Sequence, residues 1–195
     1  MGYTVIGALR TRAFRVLWML EELGEPFEHI AAAPRTDEVR RHSPLGKVPV
    51  LLDGEAAIPD GTAILTYLAD KHGAWTAPAG TLARARQDAW TFRILDEVDA
   101  LLWTAARHSF ILPEDERVPA IKDSVKAEYA RNIARICDEM PGPYLMGEAP
   151  SVPDILLCHC GGWAQNARFP EPPEAFAAYL TRLRARPAFQ RAAAL

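Results

Sequence analysis

The chain has 195 residues, of which 49% are hydrophobic and 24% are charged, a balance that excludes an intrinsically disordered protein. Its 22 basic and 25 acidic side chains give a formal net charge of −3, which argues against a nucleic-acid-binding protein with a strong basic face. No apolar run is long enough to cross a bilayer, and the N-terminus has no apolar core with a cleavage site. We therefore expect a cytoplasmic protein that does not contact membranes.

The first elements along the chain predict a parallel pair of strands. A short apolar run at residues 3–7 predicts a buried strand, and apolar residues at helical spacing predict a helix over residues 13–23. Gly24 and Pro26 are residue types that end a helix, and residues 27–31 predict a second strand. A strand, a helix and a strand in succession form a βαβ unit, in which the two strands run parallel.

The next segment predicts a hairpin followed by a helix. Residues 36–42 have helix potential, and residues 48–52 and 55–58 predict two strands joined by a two-residue turn at Asp53-Gly54. A helix is predicted over residues 62–72, with Gly73 at its end. The order β-α-β-α-β-β-α is then complete.

The rest of the chain is helical in pattern. Residues 73–80 contain Pro and Gly without any periodicity, and we place a linker at residues 74–81. Helices are predicted over residues 82–108, 119–140, 155–165 and 174–184. Ser151 and Asp154 have the spacing of a capping box at the start of the third of these helices. The predicted domains are therefore an α/β domain at residues 1–73 and an all-helical domain at residues 82–195.

The three cysteines, Cys137, Cys158 and Cys160, do not have the spacing of a disulfide framework. Consecutive residues of a helix point about 100° apart, so Cys158, His159 and Cys160 cannot converge on one metal ion. We interpret the cysteines as packing residues and predict no metal site.

Three segments resemble the glutathione transferase family. Residues 12–24, RAFRVLWMLEELG, resemble the first helix of the bacterial enzymes. Residues 44–51, PLGKVPVL, resemble the family's NPxGKVPxL segment, with Ser43 where asparagine is usual. Residues 63–70, AILTYLAD, resemble its third helix. The helical half is similar to the family's C-terminal domain, so the resemblance covers essentially the whole chain. It implies a thioredoxin-like βαβαββα domain with a mixed sheet that binds glutathione, followed by an all-α helical bundle.

The resemblance directs attention to the turn before the first helix. A glutathione thiol is largely protonated at neutral pH, so a transferase must stabilise the thiolate with hydrogen-bond donors and positive potential. Ala8 and Leu9 stand where the family's serine turn begins, which leaves Thr11 as the hydroxyl of the turn. We predict Thr11 and Arg12 as catalytic residues and Arg10 as a glutathione-binding residue. Thr11 could instead be a helix cap, and Arg10, Arg12 or a backbone N–H could act on the thiolate without it.

The remaining glutathione-binding residues are also implied by the resemblance. Pro49 matches the family's cis-proline, which turns the Val48 backbone towards the cysteinyl unit of the tripeptide. Asp60 and Gly61 stand where an acidic residue and a serine usually bind the γ-glutamyl end, so Thr62 is a candidate for the missing hydroxyl. An alternative reading makes Asp60 a plain turn residue. The predicted glutathione-binding residues are Arg10, Lys47, Val48, Pro49, Asp60, Gly61 and Thr62.

A second-substrate pocket is predicted on the long helix. Trp103, Arg107 and His108 are its candidate residues, although each is equally well explained as part of an ordinary helix. The expected ligands are glutathione as co-substrate and a small hydrophobic electrophile, without a metal. The resemblance also implies a homodimer.

Three functions fit these observations. The first is a transferase that conjugates glutathione to electrophiles. The second is a glutathione-dependent peroxidase or reductase, and the third is a non-catalytic protein of the same fold that binds glutathione or another ligand. A fold does not by itself determine an activity.

Overall fold

The computed structural model describes residues 2–195, so Met1, with which the predicted first domain begins, lies outside the described residues. The chain forms two compact units. One contains the residues up to Thr81 together with Leu183–Leu195, and the other contains Leu82–Arg182. The segment Leu183–Leu195, which follows the long helices in sequence, thus groups with the first unit.

Four short strands form one sheet in the first unit. The strands are β1 Tyr3–Ile6, β2 Phe27–Ile30, β3 Val50–Asp53 and β4 Ala56–Pro59. Their order across the sheet is β2-β1-β3-β4. Strand β1 pairs in parallel with β2 and antiparallel with β3, and β3 pairs antiparallel with β4. The predicted parallel pair and the mixed, thioredoxin-like sheet are confirmed.

The α-helices are α1 Ala13–Leu23, α2 Asp37–Arg40, α3 Gly61–His72, α4 Leu82–Ile94, α5 Ala100–Ala106, α6 Ile121–Glu139, α7 Val152–Asn166, α8 Glu174–Arg184 and α9 Pro187–Ala193. Helix α1 has the predicted bounds because its apolar face is continuous and Gly24 ends it in the left-handed conformation, with φ 69°. Val16, Leu17 and Leu20 of that face are fully buried. This helix begins at the turn that carries the predicted catalytic residues.

The hairpin between β3 and β4 differs from the prediction by one residue. Asp53 pairs with Ala56, so the two-residue turn is Gly54-Glu55, and the predicted turn at Asp53-Gly54 is wrong. Asp53 stays in the strand because its carboxylate accepts hydrogen bonds from the Tyr67 hydroxyl, at 2.6 Å, and from the Lys71 ammonium. Both donors belong to α3, and this polar contact fixes the end of β3 against that helix.

The C-terminal helix α9 packs along α1 within the first unit. The ring of Phe189 lies 5.1 Å from that of Phe14 and 5.0 Å from that of Trp18, centroid to centroid. The Arg186 guanidinium donates to both carboxylate oxygens of Glu22, at 2.6 and 2.7 Å. The sequence patterns did not predict α9, because Pro187 looks like a helix stop. In the structure it begins a new helix, a position at which proline is favourable.

In the second unit, the long helix predicted over residues 82–108 is interrupted. A π-helical turn at Leu95–Asp99 joins α4 to α5, and another at Arg107–Ile111 follows α5.

Helix α7 begins with the predicted capping box, in which the Ser151 N–H donates to the Asp154 carboxylate at 2.8 Å. Asp154 is fully buried and also accepts from the Leu145 N–H, at 3.0 Å, and from the Tyr179 hydroxyl, at 2.9 Å. Within residues 2–195, no helix combines the length and the apolar character needed to cross a membrane.

Candidate functional site

The turn between β1 and α1 forms the first side of the candidate site. Gly7 has φ 147°, and a Cβ on it would lie 2.8 Å from the Cβ of Ala13 and 3.1 Å from that of Val48. A larger residue would therefore separate the start of α1 from the segment before β3. The Gly7 carbonyl accepts a hydrogen bond from Nε2 of His29, at 2.9 Å, which ties the turn to β2.

Thr11 holds this turn together through its hydroxyl. Its Oγ1 donates to the Ala8 carbonyl at 2.7 Å and accepts the N–H of Ala13 at 3.1 Å. The Ala8 carbonyl also accepts the N–H of Thr11 itself, at 2.9 Å. Thr11 therefore caps the first turn of α1 in this structure, and its one hydroxyl donor is directed at Ala8.

The two arginines of the turn differ in exposure. Arg10 is exposed, whereas Arg12 is partly buried and immediately precedes α1. Both cations stand at the N-terminal end of a helix, where the helix dipole adds to their positive potential. The turn therefore suits an anion more than a cation.

The segment before β3 forms the second side. The Val48–Pro49 peptide bond is cis, as predicted, and Pro49 is buried while Lys47 is exposed. Ser43, which replaces the family's usual asparagine, is buried; its carbonyl accepts the Gly46 N–H at 2.7 Å and its hydroxyl accepts the Lys47 N–H at 3.3 Å. Ser43 thus fixes the loop that leads into the cis bond.

The start of α3 forms the third side. Asp60 has the unusual backbone conformation φ 74°, ψ 118°, and its Oδ1 accepts the N–H groups of Thr62, at 2.9 Å, and Ala63, at 3.0 Å. Its other oxygen, Oδ2, has no hydrogen-bond partner among the described residues. Asp60 is thus a helix cap rather than a plain turn residue, and it still carries a negative charge.

Gly61 brings the three sides together. A Cβ on Gly61 would lie 3.3 Å from Cγ of Pro49, 3.5 Å from its Cδ and 3.9 Å from the carbonyl oxygen of Arg12. The start of α3, the cis-proline and the start of α1 therefore meet at one point. We use the name turn site for the three segments that meet here, to which the predicted residues of the first unit belong: Arg10, Thr11, Arg12, Lys47, Val48, Pro49, Asp60, Gly61 and Thr62.

The predicted second-substrate residues lie in the other unit. Trp103 is on α5 and is 37% exposed. Arg107 and His108 belong to the π-helical turn that follows, and Nδ1 of His108 accepts the N–H of Val118 at 3.1 Å. His108 is thus held in place by the chain that leads to α6.

The hydrogen bond between His29 and Gly7, which ties the turn to β2, was not predicted from sequence patterns. The sequence pattern places His29 only within a strand, and the register of that strand sets His29 opposite Val5, beside the end of β1. The parallel pairing was predictable, and the register could have suggested that His29 reaches the turn after β1. The side-chain hydrogen bond to Gly7 itself has no sequence signal.

The cysteines are distant in sequence from the turn site. Cys158 and Cys160 are buried and Cys137 is partly buried, and all three lie in the helical unit outside any disulfide. No group of three or more His, Cys, Asp or Glu side chains within residues 2–195 has an arrangement that could hold a metal ion.

Comparisons with known proteins point to one family. Residues 11–71 match the model of the family described as "Glutathione S-transferase, N-terminal domain". The chain is 38% identical over 68 residues to "Glutathione S-transferase 3" from Schizosaccharomyces pombe; the match covers 32% of this chain and only 28% of that relative.

Solved structures match over nearly the full length. A theta class glutathione S-transferase from Xanthomonas axonopodis pv. citri, solved with glutathione bound, is 27% identical with a TM-score of 0.81, over 100% of this chain and 99% of the other. A glutathione transferase from Methylococcus capsulatus is 26% identical with a TM-score of 0.82, over 98% and 97% of the two chains.

Proposed function

We propose that this chain, which belongs to the glutathione S-transferase superfamily, binds glutathione at the turn site and adds its thiolate to small hydrophobic electrophiles. The observation that carries the proposal is the meeting of Arg12, cis-Pro49 and Gly61 at one point. A cationic turn, the cis-proline segment and the start of α3 with the Asp60 carboxylate border this point, and the proposal puts the tripeptide there.

Each part of glutathione has a complementary group. The backbone of Val48 pairs with the cysteinyl unit, as in the addition of a strand to a sheet edge. Oδ2 of Asp60 accepts the γ-glutamyl ammonium. The N–H of Gly61 and the hydroxyl of Thr62 donate to the neighbouring carboxylate, and the exposed Lys47 pairs with the tripeptide's other carboxylate.

The thiolate is stabilised by the turn Arg10–Arg12 in this proposal. The Thr11 hydroxyl can rotate from Ala8 to the sulfur without leaving a carbonyl unpaired, because the Thr11 N–H also donates to Ala8. The rotation exchanges a neutral hydrogen bond for a charge-assisted one, a net gain of about 1 kcal/mol. One pKa unit equals about 1.4 kcal/mol. Thr11 therefore supplies less than one unit, and the charges of Arg10 and Arg12 supply the rest of the shift in thiol pKa.

The electrophile binds beside Trp103, Arg107 and His108 in this proposal, and the protein acts as a cytoplasmic homodimer. Catalysis comes from thiolate stabilisation and proximity, without a covalent bond between the protein and glutathione. Light scattering coupled to size exclusion tests the dimer, since a monomeric mass at micromolar concentration would contradict it.

One observation favours a second candidate function, a non-catalytic glutathione-binding protein. The donor of Thr11 is directed at Ala8, and no serine precedes it in the turn. In such a protein glutathione would bind as a thiol, and the hydroxyl of Thr11 would remain a cap.

The absorbance of bound glutathione separates the two candidates. A thiolate absorbs in the ultraviolet where a thiol does not, so a difference spectrum across pH reports the pKa of the bound thiol. A pKa near or below neutral, together with turnover of a panel of aryl halides and epoxides, supports the transferase. An unshifted thiol and no turnover in a protein that still binds glutathione would reject it.

A further inference from the structure

The backbone of Gly7, at the end of β1, is held from the side of β2. The Gly7 N–H donates to the Ile30 carbonyl at 2.9 Å, and the Gly7 carbonyl accepts from Nε2 of His29, also at 2.9 Å. A carbonyl only accepts, so Nε2 of His29 carries the hydrogen. Both polar groups of Gly7 are therefore bound to β2, one by its backbone and one by a side chain.

The N–H of Ala8 belongs to the same peptide group as the Gly7 carbonyl. Within residues 2–195 only the Val48–Pro49 peptide bond is cis, so the Gly7–Ala8 bond is trans and the Ala8 N–H points away from the carbonyl that His29 holds. Ala8 is half-buried, and its N–H has no hydrogen-bond acceptor in the same range of residues. Such a donor is open to water or to a ligand.

The register of the sheet indicates what this donor faces. Strand β1 lies between β2 and β3, and its last pair with β3 is Ile6 opposite Val50. Continued by two residues, the antiparallel register would set Ala8 opposite Val48. The ladder ends before that pair, although a Cβ on Gly7 would lie only 3.1 Å from Cβ of Val48. The Ala8 N–H thus lacks its ladder partner and lies on the side of β1 that carries the Val48 backbone.

We propose that the Ala8 N–H donates a hydrogen bond to the glutathione thiolate and that His29 is the positioning residue for this donor. This role rests on the proposed function, which sets the cysteinyl unit against the Val48 backbone. Through the Gly7 carbonyl, His29 fixes the direction of the Ala8 N–H. The same hydrogen bond polarises the peptide group, which makes its N–H a stronger donor. The Ala8 N–H then shares the shift in thiol pKa with the two arginines of the turn.

Substitutions on β2 separate this role from a structural one. His29→Gln places an amide N–H as many bonds from the backbone as Nε2 of histidine, so it can still donate to the Gly7 carbonyl. His29→Asn is one bond shorter and does not reach that carbonyl. Glu28→Gln changes an exposed neighbour that points to the opposite face of the strand, and it is the control.

The thiol pKa of bound glutathione is the main measurement. It is read from the ultraviolet difference spectrum across pH, with the S-methylglutathione complex of the same variant as the blank. His29→Asn should raise this pKa and lower turnover at neutral pH. Its affinity for S-methylglutathione should not change, because that ligand has no thiolate. His29→Gln and Glu28→Gln should keep the thiol pKa of the parent chain.

A backbone substitution tests the donor itself. Replacement of Ala8 by L-lactic acid, through suppression of a stop codon, exchanges the N–H for an ester oxygen and keeps the side chain. The thiol pKa should rise by about one unit, which corresponds to a weak hydrogen bond to an anion. This rise should be larger than that in His29→Asn, where the N–H is still present but is no longer held. Affinity for S-methylglutathione should again be unchanged.

The outcomes distinguish this inference from the proposed function. If the parent chain lowers the thiol pKa of glutathione and the ester leaves that pKa unchanged, the inference is overturned and the proposed function stands. The role of His29 is overturned if His29→Asn lowers only the melting temperature, or if His29→Gln raises the thiol pKa as much as His29→Asn. A parent chain that binds neither glutathione nor S-methylglutathione would contradict the proposed function itself.

Discussion

The hydroxyl of Thr11 donates to the carbonyl of Ala8, 2.7 Å away, at the turn where a glutathione thiolate would need a donor. The same oxygen accepts the N–H of Ala13 and so caps α1. The cap uses a lone pair of this oxygen, whereas donation to a thiolate would use its proton. Stability and the thiol pKa therefore report the two roles separately.

Thr11→Val keeps the side-chain shape and removes both hydrogen bonds. The free energy of unfolding should fall by about 1 kcal/mol through loss of the cap. The thiol pKa of bound glutathione should rise by up to about one unit. In the parent protein the thiolate gains a charge-assisted hydrogen bond in exchange for a neutral one, and the variant loses this gain. Thr11→Ser keeps the hydroxyl and is the control. If Thr11→Val is less stable but the thiol pKa is unchanged, then Arg10, Arg12 or a backbone N–H stabilises the thiolate instead of Thr11.

Asp60→Asn tests whether the carboxylate binds the ligand ammonium. Asparagine caps a helix about as well as aspartate, so thermal stability should change little. Glutathione affinity should fall by roughly tenfold, since the charge opposite the ammonium is lost. Asp60→Ala should lower both stability and affinity. If Asp60→Asn and the parent chain bind glutathione equally tightly, the Asp60 carboxylate acts only as a helix cap.

The pair Gly61→Ala and Gly61→Ser isolates the value of a hydroxyl at the start of α3. Both add a Cβ that lies 3.3 Å from Cγ of Pro49, so both require the proline ring to move by a few tenths of an ångström. The difference between them measures the hydroxyl alone. Gly61→Ser should bind glutathione more tightly than Gly61→Ala, by roughly 1.5–3 kcal/mol at most. Equal calorimetric affinities would mean that Thr62 already supplies the donor.

Arg186→Ala tests how strongly the C-terminal segment stabilises α1. The Glu22 side chain is 6% exposed, and within residues 2–195 it would keep only its hydrogen bond from Nε1 of Trp18, at 2.8 Å. The free energy of unfolding should fall by about 2 kcal/mol, less than for a fully buried pair because Arg186 is 30% exposed. Arg191→Ala is the matched control, because Arg191 pairs with Glu21, the neighbour of Glu22 in α1. Arg191 is 57% exposed, so its removal should lower the free energy of unfolding by under about 1 kcal/mol. Equal losses in urea denaturation would contradict this account.

Local patterns predicted most of the first unit. The apolar face from Val16 to Leu20 and the glycine at position 24 are local signals for α1, and they predict its bounds correctly. The hairpin turn was misplaced because Asp53-Gly54 is itself a favourable turn pair. Contacts of Asp53 with Tyr67 and Lys71, far away in sequence, keep Asp53 in the strand.

Long-range contacts account for what the patterns missed. Nothing near Phe189 in sequence indicates that its ring packs on Phe14 and Trp18, and Pro187 is equally compatible with the end and the start of a helix.

The catalytic and binding roles at the turn site remain predictions. The domain boundaries also remain predictions, and limited proteolysis around residues 74–81 would test them.

A calorimetric titration with glutathione tests the central claim most directly. We predict saturable binding with a dissociation constant between micromolar and millimolar, and similar binding of S-methylglutathione, because the backbone of Val48 and the ends of the tripeptide carry most of the recognition. Absence of heat, together with absence of competition between the two ligands at millimolar concentration, would contradict the proposed function.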